Sequence, residues 1–355
     1  MSTSATDNIL IPLVEGKSIS QADSELFFSE MIKGNIAPEL LASVLTALKI
    51  KGENAAEIAG AAVAIRNSAT SFPAQNNDVA DCVGTGGDGA NTINISTTAS
   101  ILAAACGLKM AKHGNRSVSS MSGSADLLEA LGVNLMMSPA IASECLNQAN
   151  LCFLYAPAYH PGFKYAGPVR KAMGIRTLFN ILGPLVNPAK PSVMLLGVYL
   201  PELIECIANT LCLTGVKRAW VVHGSGLDEI ALHGETQVTE IKKGQLTNKI
   251  ITPEDFGLSR YSLDDIKGGT PAENANIITA ILSGKGEPAH NAAVIINCAA
   301  LLYLHDKFNN LTDAAEYATR VLASGKALNT LSTLVKVSNS ANADSKQTSS
   351  EKVKG

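Results

Sequence analysis

A chain of 355 residues, 46% hydrophobic and 17% charged, exceeds the usual single core and carries ample apolar material for a large one, which excludes wholesale disorder. Its formal net charge of −3 argues against a broad nucleic-acid footprint, which needs a basic face. Ala292–Leu304, the most apolar stretch, is interrupted by Asn297 and falls short of the roughly 18 residues of a membrane span.

The first residues, MSTSATDN, show no signal-peptide pattern, and the seven cysteines are odd in number without a CxxC pair. A soluble, cytoplasmic protein with reduced thiols is the expectation. Along the chain, residues from 9 to about 70 read as helices: Ile19–Lys33 ending at Gly34, Pro38–Leu48, and Glu53–Arg66. From Asp78 the pattern alternates strand and helix. Val79–Val83 is a strand, followed by the loop Gly84–Gly89 and a helix over Ser96–Cys106. Lys109–Lys112 is the next strand, Asp126–Leu131 a helix and Val133–Met137 a further strand. Ser138 then caps a helix with Pro139 at its first position.

Leu151–Tyr155, Met194–Tyr199 and Ala219–His223 read as strands, with a helix over Pro201–Thr214. Val169–Leu182 is helical instead and is expected to return to the first helices. Residues 235–252 read as an antiparallel hairpin, followed by helices over Ala272–Ser283, His290–Lys307 and Thr312–Ser324. The Ser/Asn/Lys-rich end, from about Asn339, carries no periodicity and is expected to be disordered. The fold class is therefore α/β: a small all-helical domain over residues 1–75, expected to be completed by a segment near 168–190, then an α/β domain over 76–336 with a mostly parallel sheet and a glycine-rich phosphate loop, and a tail over 337–355.

Chemistry concentrates at strand ends. Gly84-Thr85-Gly86-Gly87-Asp88-Gly89 lets backbone N–H groups approach a ligand, and Asn94-Ile95-Ser96-Thr97 adds hydroxyls and a helix start. The same glycines would also serve a plain strand-to-helix turn. The spacing is neither GxGxxG nor a P-loop, which disfavours a dinucleotide site or an NTPase. Lys112-His113-Gly114-Asn115-Arg116 ends the next strand and should face the glycine loop. Lys112 offers a charge for phosphate and Asn115 an amide, while His113 and Arg116 fit either substrate or structure. Ser117, Ser119, Ser120, Ser122 and Ser124 add donors downstream. Asp228-Glu229 suits a hard divalent cation beside a phosphate, or is an acidic turn. Arg170 would grip a carboxylate, or is an exposed helix arginine.

In this order, GTGGDG, NIST, KHGNR, SADLLEALG, the AP..HP segment, RTLFNILGPLVNP and HGSGLDEI resemble the anthranilate phosphoribosyltransferase family of tryptophan biosynthesis, as far as about Lys336. The resemblance implies transfer of a phosphoribosyl group from phosphoribosyl pyrophosphate to the amine of anthranilate. It implies magnesium, two ions per subunit, and a homodimer through the helical domain, with no nucleic-acid or membrane partner. Gly84, Thr85, Gly86, Gly87, Asp88, Thr92, Asn94, Ser96, Thr97, Lys112, Ser120 and Ser124 match donor positions, and Ser96, Asp228 and Glu229 the metal positions. Gly84, Asn115 and Arg170 match the acceptor site, with His113, Ala156, Pro157, His160 and Phe163 lining its approach. Phe163 stands where some relatives have tyrosine, so a hydroxyl contact is absent there. No covalent nucleophile or essential base is implied. A pyrimidine nucleoside phosphorylase would need base-recognition groups in place of KHGNR and Arg170. A non-catalytic nucleic-acid-binding paralogue would need a basic face, which the composition lacks.

Overall fold

The computed structural model describes residues 7–73, 79–117 and 120–340. Ser119 and the tail from residue 341 lie outside them. Seven strands form one sheet in the order β3-β2-β1-β4-β5-β6-β7. They are β1 (Ala80–Gly84), β2 (Met110–Gly114), β3 (Leu151–Tyr155), β4 (Val193–Gly197), β5 (Arg218–Gly224), β6 (Thr236–Lys242) and β7 (Gln245–Ile251). The first five are parallel, and β6 and β7 continue antiparallel, as the hairpin pattern of 235–252 predicts.

Side chains alternate across a strand, so the sheet divides two cores. Val193 and Leu195 of β4, with Trp220 and Val222 of β5, face one core built with Ile95–Ala105, Pro139–Ala149, Pro288–Leu304 and Lys326–Ser338. Met194, Leu196, Ala219 and Val221 face the other, which contains the helices Gln21–Lys33, Pro38–Lys51, Ala55–Asn67 and Leu203–Leu213. Ala166, Val169, Leu178, Phe179 and Leu182 join this second core, where Phe28 and Phe179 meet edge to face at 5.9 Å.

Three sequence expectations need correction. Val133–Met137 is not a strand but a link between the helices Ser124–Ala130 and Pro139–Ala149. Its alternation is real, since Val133, Leu135 and Met137 are buried and Met136 is exposed. However, the Asn134 N–H donates to Ser338 Oγ at 3.1 Å, so a distant helix end satisfies it in place of a sheet ladder. The helical stretch Val169–Leu182 is broken: Gly167–Met173 stops at Gly174 in the left-handed region (φ 62°) and Phe179–Leu182 restarts. A last helix, Lys326–Ser338, carries order past the expected start of the tail at 337. Its buried Ala327, Leu331 and Leu334 give it an inward stripe.

Candidate active site

From β1 the sheet grows one way to β2 and β3 and the other way to β4 and β5, which opens a crevice outside the carboxyl ends of the strands. A cleft of about 780 Å³ occupies it. Gly84, Thr85, Gly86, Gly87, Asp88, Thr92, Asn94, Ser96, Thr97, Lys112, Ser120 and Ser124 line this cleft. So do His113, Asn115, Ala156, Pro157, His160, Phe163, Arg170, Asp228 and Glu229. These residues, all those that the family resemblance assigns to the site, therefore line one cavity, whereas Ser119 lies outside the described residues.

β1 and β2 share only the pair Ala80↔Met110, whereas β1 pairs with β4 over Ala80–Gly84. Beyond Met110 the strands part, and Asn187 stands between them, donating from Nδ2 to Asp81 Oδ2 and to Ala111 O, both at 2.8 Å. Asp81 is fully buried, and burial pushes its carboxyl up to about 6 from 3.8, against the pull of Lys112. A carboxyl with a raised folded pKa holds its proton longer when folded. Its contribution to stability therefore falls as pH rises from 3.8 through 6, by up to about 3 kcal/mol. Chemical denaturation across that window should show Asp81→Asn gaining on the parent as pH rises. Parallel curves would remove Asp81 as the source.

On the β1 side, Gly84 and Gly197 leave room for Asp228, since a Cβ on either would collide with it. The Asp228 carboxylate accepts the Gly86 N–H, and Glu229 accepts the Ser96 N–H at 3.0 Å. Lys112, 3% exposed, donates from Nζ to Cys82 O at 2.6 Å and approaches Ser96 Oγ at 3.3 Å. Burial raises Asp228 well above the usual carboxylate range, and Asp88 and Glu229 add repulsion. Burial also raises Glu229, to about 7, while Lys112 draws it down. Crowded carboxylates of this kind call for a cation. Among the described residues no three His, Cys, Asp or Glu side chains converge to hold one. The oxygen-only set of Asp228, Glu229 and the Ser96 hydroxyl fits magnesium sharing a ligand's phosphate oxygens, not zinc.

The opposite wall is aromatic. His113 and His160 meet edge to face at 5.1 Å, His160 and Phe163 at 6.0 Å, and Phe163 and Phe179 at 5.7 Å. Burial lowers His113 to about 3 and His160 to about 4, so both rings are neutral at pH 7. Since Gly183 O can only accept, the neutral His113 donates Nδ1–H to it at 3.1 Å, which leaves Nε2 as an acceptor without a partner. The Arg170 guanidinium lies 5.3 Å from the centre of the Phe179 ring, and burial lowers its pKa. No carboxylate pairs with it among the described residues.

Arg116, open from the sequence, proves structural: it pairs with Asp126 at 3.0 Å and Glu129 at 2.7 Å. Arg176 was missed as a site residue. It donates to Gly87 O at 2.7 Å and sits 4.3 Å from the centre of the Tyr199 ring, tying the glycine loop to the far wall. RTLFN marks the segment, but nothing local names a carbonyl 89 residues away as its partner.

Residues 76–328 match the a/b domain of a glycosyl transferase family, and residues 8–69 match its helical bundle domain. The chain is 73% identical to an anthranilate phosphoribosyltransferase from Colwellia psychrerythraea, over 95% of this chain and 93% of that one. The chain belongs to this glycosyl transferase family, among the anthranilate phosphoribosyltransferases. A crystal structure of the family's Thermus thermophilus member superposes with a TM-score of 0.89 at 38% identity, covering 94% of this chain and 99% of that one. The Saccharomyces cerevisiae member in complex with PRPP and Mg gives a TM-score of 0.81 at 30% identity, covering 95% and 94%. The family likeness thus spans both cores and the cleft between them.

Proposed function

We propose that the chain transfers the phosphoribosyl group of 5-phosphoribosyl 1-pyrophosphate to the amine of anthranilate, giving N-(5-phosphoribosyl)anthranilate and pyrophosphate, the second step of tryptophan biosynthesis from chorismate. The observation that carries this reading is one cleft with two unlike walls: an anion cradle of glycine N–H groups, helix start and Lys112, and an aromatic wall with an unpaired Arg170. A polyanionic sugar fits the first and an aromatic carboxylate the second.

In the reaction the bond from the anomeric carbon to pyrophosphate breaks and a carbon–nitrogen bond forms. The amine proton passes to water or to the departing pyrophosphate. The Gly87 N–H of the glycine loop, the Thr97 N–H at the start of the Ile95–Ala105 helix and Lys112 hold the charge that develops on the leaving group. Asp228, Glu229 and Ser96 would hold magnesium, in this reading two ions per subunit, and bound metal would supply further countercharge. Arg170 and Asn115 orient anthranilate, and His113 lines its approach as a neutral ring. Aniline nitrogen is unprotonated at neutral pH, so positioning replaces base catalysis.

Residues 1–75 with the segment near 168–190 form the helical domain in this reading, and the phosphoribosyl-binding domain runs from 76 through the helix that ends at Ser338. The shared core of Phe28 and Phe179 supports that division. The exposed Ile11, Val14 and Ile50 of the helical bundle support a homodimer through it. The location is cytoplasmic, with no nucleic-acid or membrane partner.

With magnesium and the pyrophosphate donor, the purified protein should deplete anthranilate fluorescence. Arg170→Ala should raise the KM for anthranilate about 10- to 100-fold, the range of a lost charge-assisted contact, and that for the donor less than twofold. No depletion by the parent would refute the reaction. Equal rises in both constants would refute the carboxylate role.

A further inference from the structure

Asn94 sits at the N-cap of the eleven-residue helix Ile95–Ala105, where asparagine ordinarily accepts an N–H of the first turn. Here its side chain makes no such bond. The reason lies 180 residues away, in Asn274. Asn274 is 1% exposed, in the first turn of the helix Pro271–Leu282. One atom of its amide lies 2.8 Å from the Gly269 N–H. That backbone group can only donate, so the atom is Oδ1. Nδ2 then faces Asn94 and donates to its Oδ1 at 2.9 Å. With that oxygen fixed, Asn94 Nδ2 donates to Ser122 O at 3.0 Å, and Ser122 Oγ donates back to Oδ1 at 3.3 Å. Each amide in the chain has one allowed orientation.

We propose that Asn274 is a positioning residue for the phosphoribosyl donor: it holds Asn94 off the helix start, so that the Thr97 N–H and the second Asn94 amide proton stay available to the donor's anionic groups. Thr97 N–H, the partner a self-capping Asn94 would take, has no acceptor among the described residues. The brace is rigid. Ile93 N–H donates to Ile266 O at 3.0 Å and Gly268 N–H to Asn91 O at 2.9 Å, fixing the two segments side by side. The inference rests on the donor-site reading above and deepens it.

Asn274→Asp keeps the acceptor for Gly269 but turns a second oxygen toward Asn94 Oδ1, which frees Asn94 to cap its own helix. Steady-state rates of the full chain with magnesium, each substrate varied in turn, should show the donor KM raised about tenfold or more and the anthranilate KM changed less than about twofold. Combined with Asn94→Ala, the losses should not multiply, because both act through one amide. Equal changes in both KM values, or multiplying losses, would overturn the proposal. If Asn274→Asp fails to fold, Asn94→Ala alone decides: an unchanged donor KM overturns it. If the parent transfers nothing, the reaction fails instead. Calorimetry with magnesium pyrophosphate then reads Asn274 directly, as tenfold weaker binding in Asn274→Asp, and equal binding overturns it.

Discussion

Lys112→Met is expected to lower kcat/KM for the phosphoribosyl donor by about 10³, through kcat more than through KM, while the protein still folds. The residue stands in the middle of β2 and lines the floor of the cleft, and its Nζ is placed by Cys82 O and Ser96 Oγ, not by a carboxylate ion pair. Its charge is thus committed to no single partner and faces the site where pyrophosphate charge develops. Removing one fixed donor to a developing oxyanion costs about 10²–10³ in rate, and Lys112 also restrains Glu229, whose raised pKa it draws down. Methionine matches the unbranched stem, so lost packing is small. Arginine is not a conservative choice, because a forked planar head cannot fill a slot shaped for one ammonium. A melting temperature near that of the parent with rates within tenfold would remove Lys112 from the donor site.

Much of this site was legible because its chemistry sits in short runs at strand ends. GTGGDG and KHGNR run off the ends of β1 and β2 and Asp228-Glu229 follows β5, and parallel topology alone brings those ends together. Arg176 and Asn274 were not legible. Each works through a partner far along the chain, 89 and 180 residues away; RTLFN marks the place of Arg176 but not its partner, and Asn274 stands in no run of site-like residues. The fold divides the same way. The strands β4 and β5 alternate between two cores, and their neighbours pair with them over their length. Val133–Met137 alternates as cleanly, yet its backbone is claimed by Ser338. Hydrophobic periodicity reports which side chains are buried; it does not report which group takes the N–H. The break at Gly174 was similarly hidden, since glycine within a helical pattern reads as tolerated until its φ is known.

The double variant Asp228→Asn/Glu229→Gln should lose the magnesium dependence of turnover, with kcat down by at least about 10², and should gain thermal stability without ligand. Both amides keep an oxygen for the N–H groups of Gly86 and Ser96, so the local hydrogen bonds survive. What disappears is the crowding of buried negative charge, which raises Asp228 far above its ordinary range and Glu229 to about 7 from 4.5. The sign follows from proton binding. A carboxyl held protonated longer in the folded state makes the fold less stable as pH rises through 4.5 to 7. The gain of the double variant over the parent should therefore grow across that window, and Asp228, raised still further from its ordinary range, adds to it in the same direction. Magnesium with the donor should reverse the order at pH 8, because a cation stabilises the parent's carboxylates and has nothing comparable to bind in the variant. A metal site of the proposed kind, costly to stability until it is loaded, would account for both effects. An unchanged metal titration, or a variant less stable than its parent at pH 8 without ligand, would show that Asp228 and Glu229 serve the fold and not the metal.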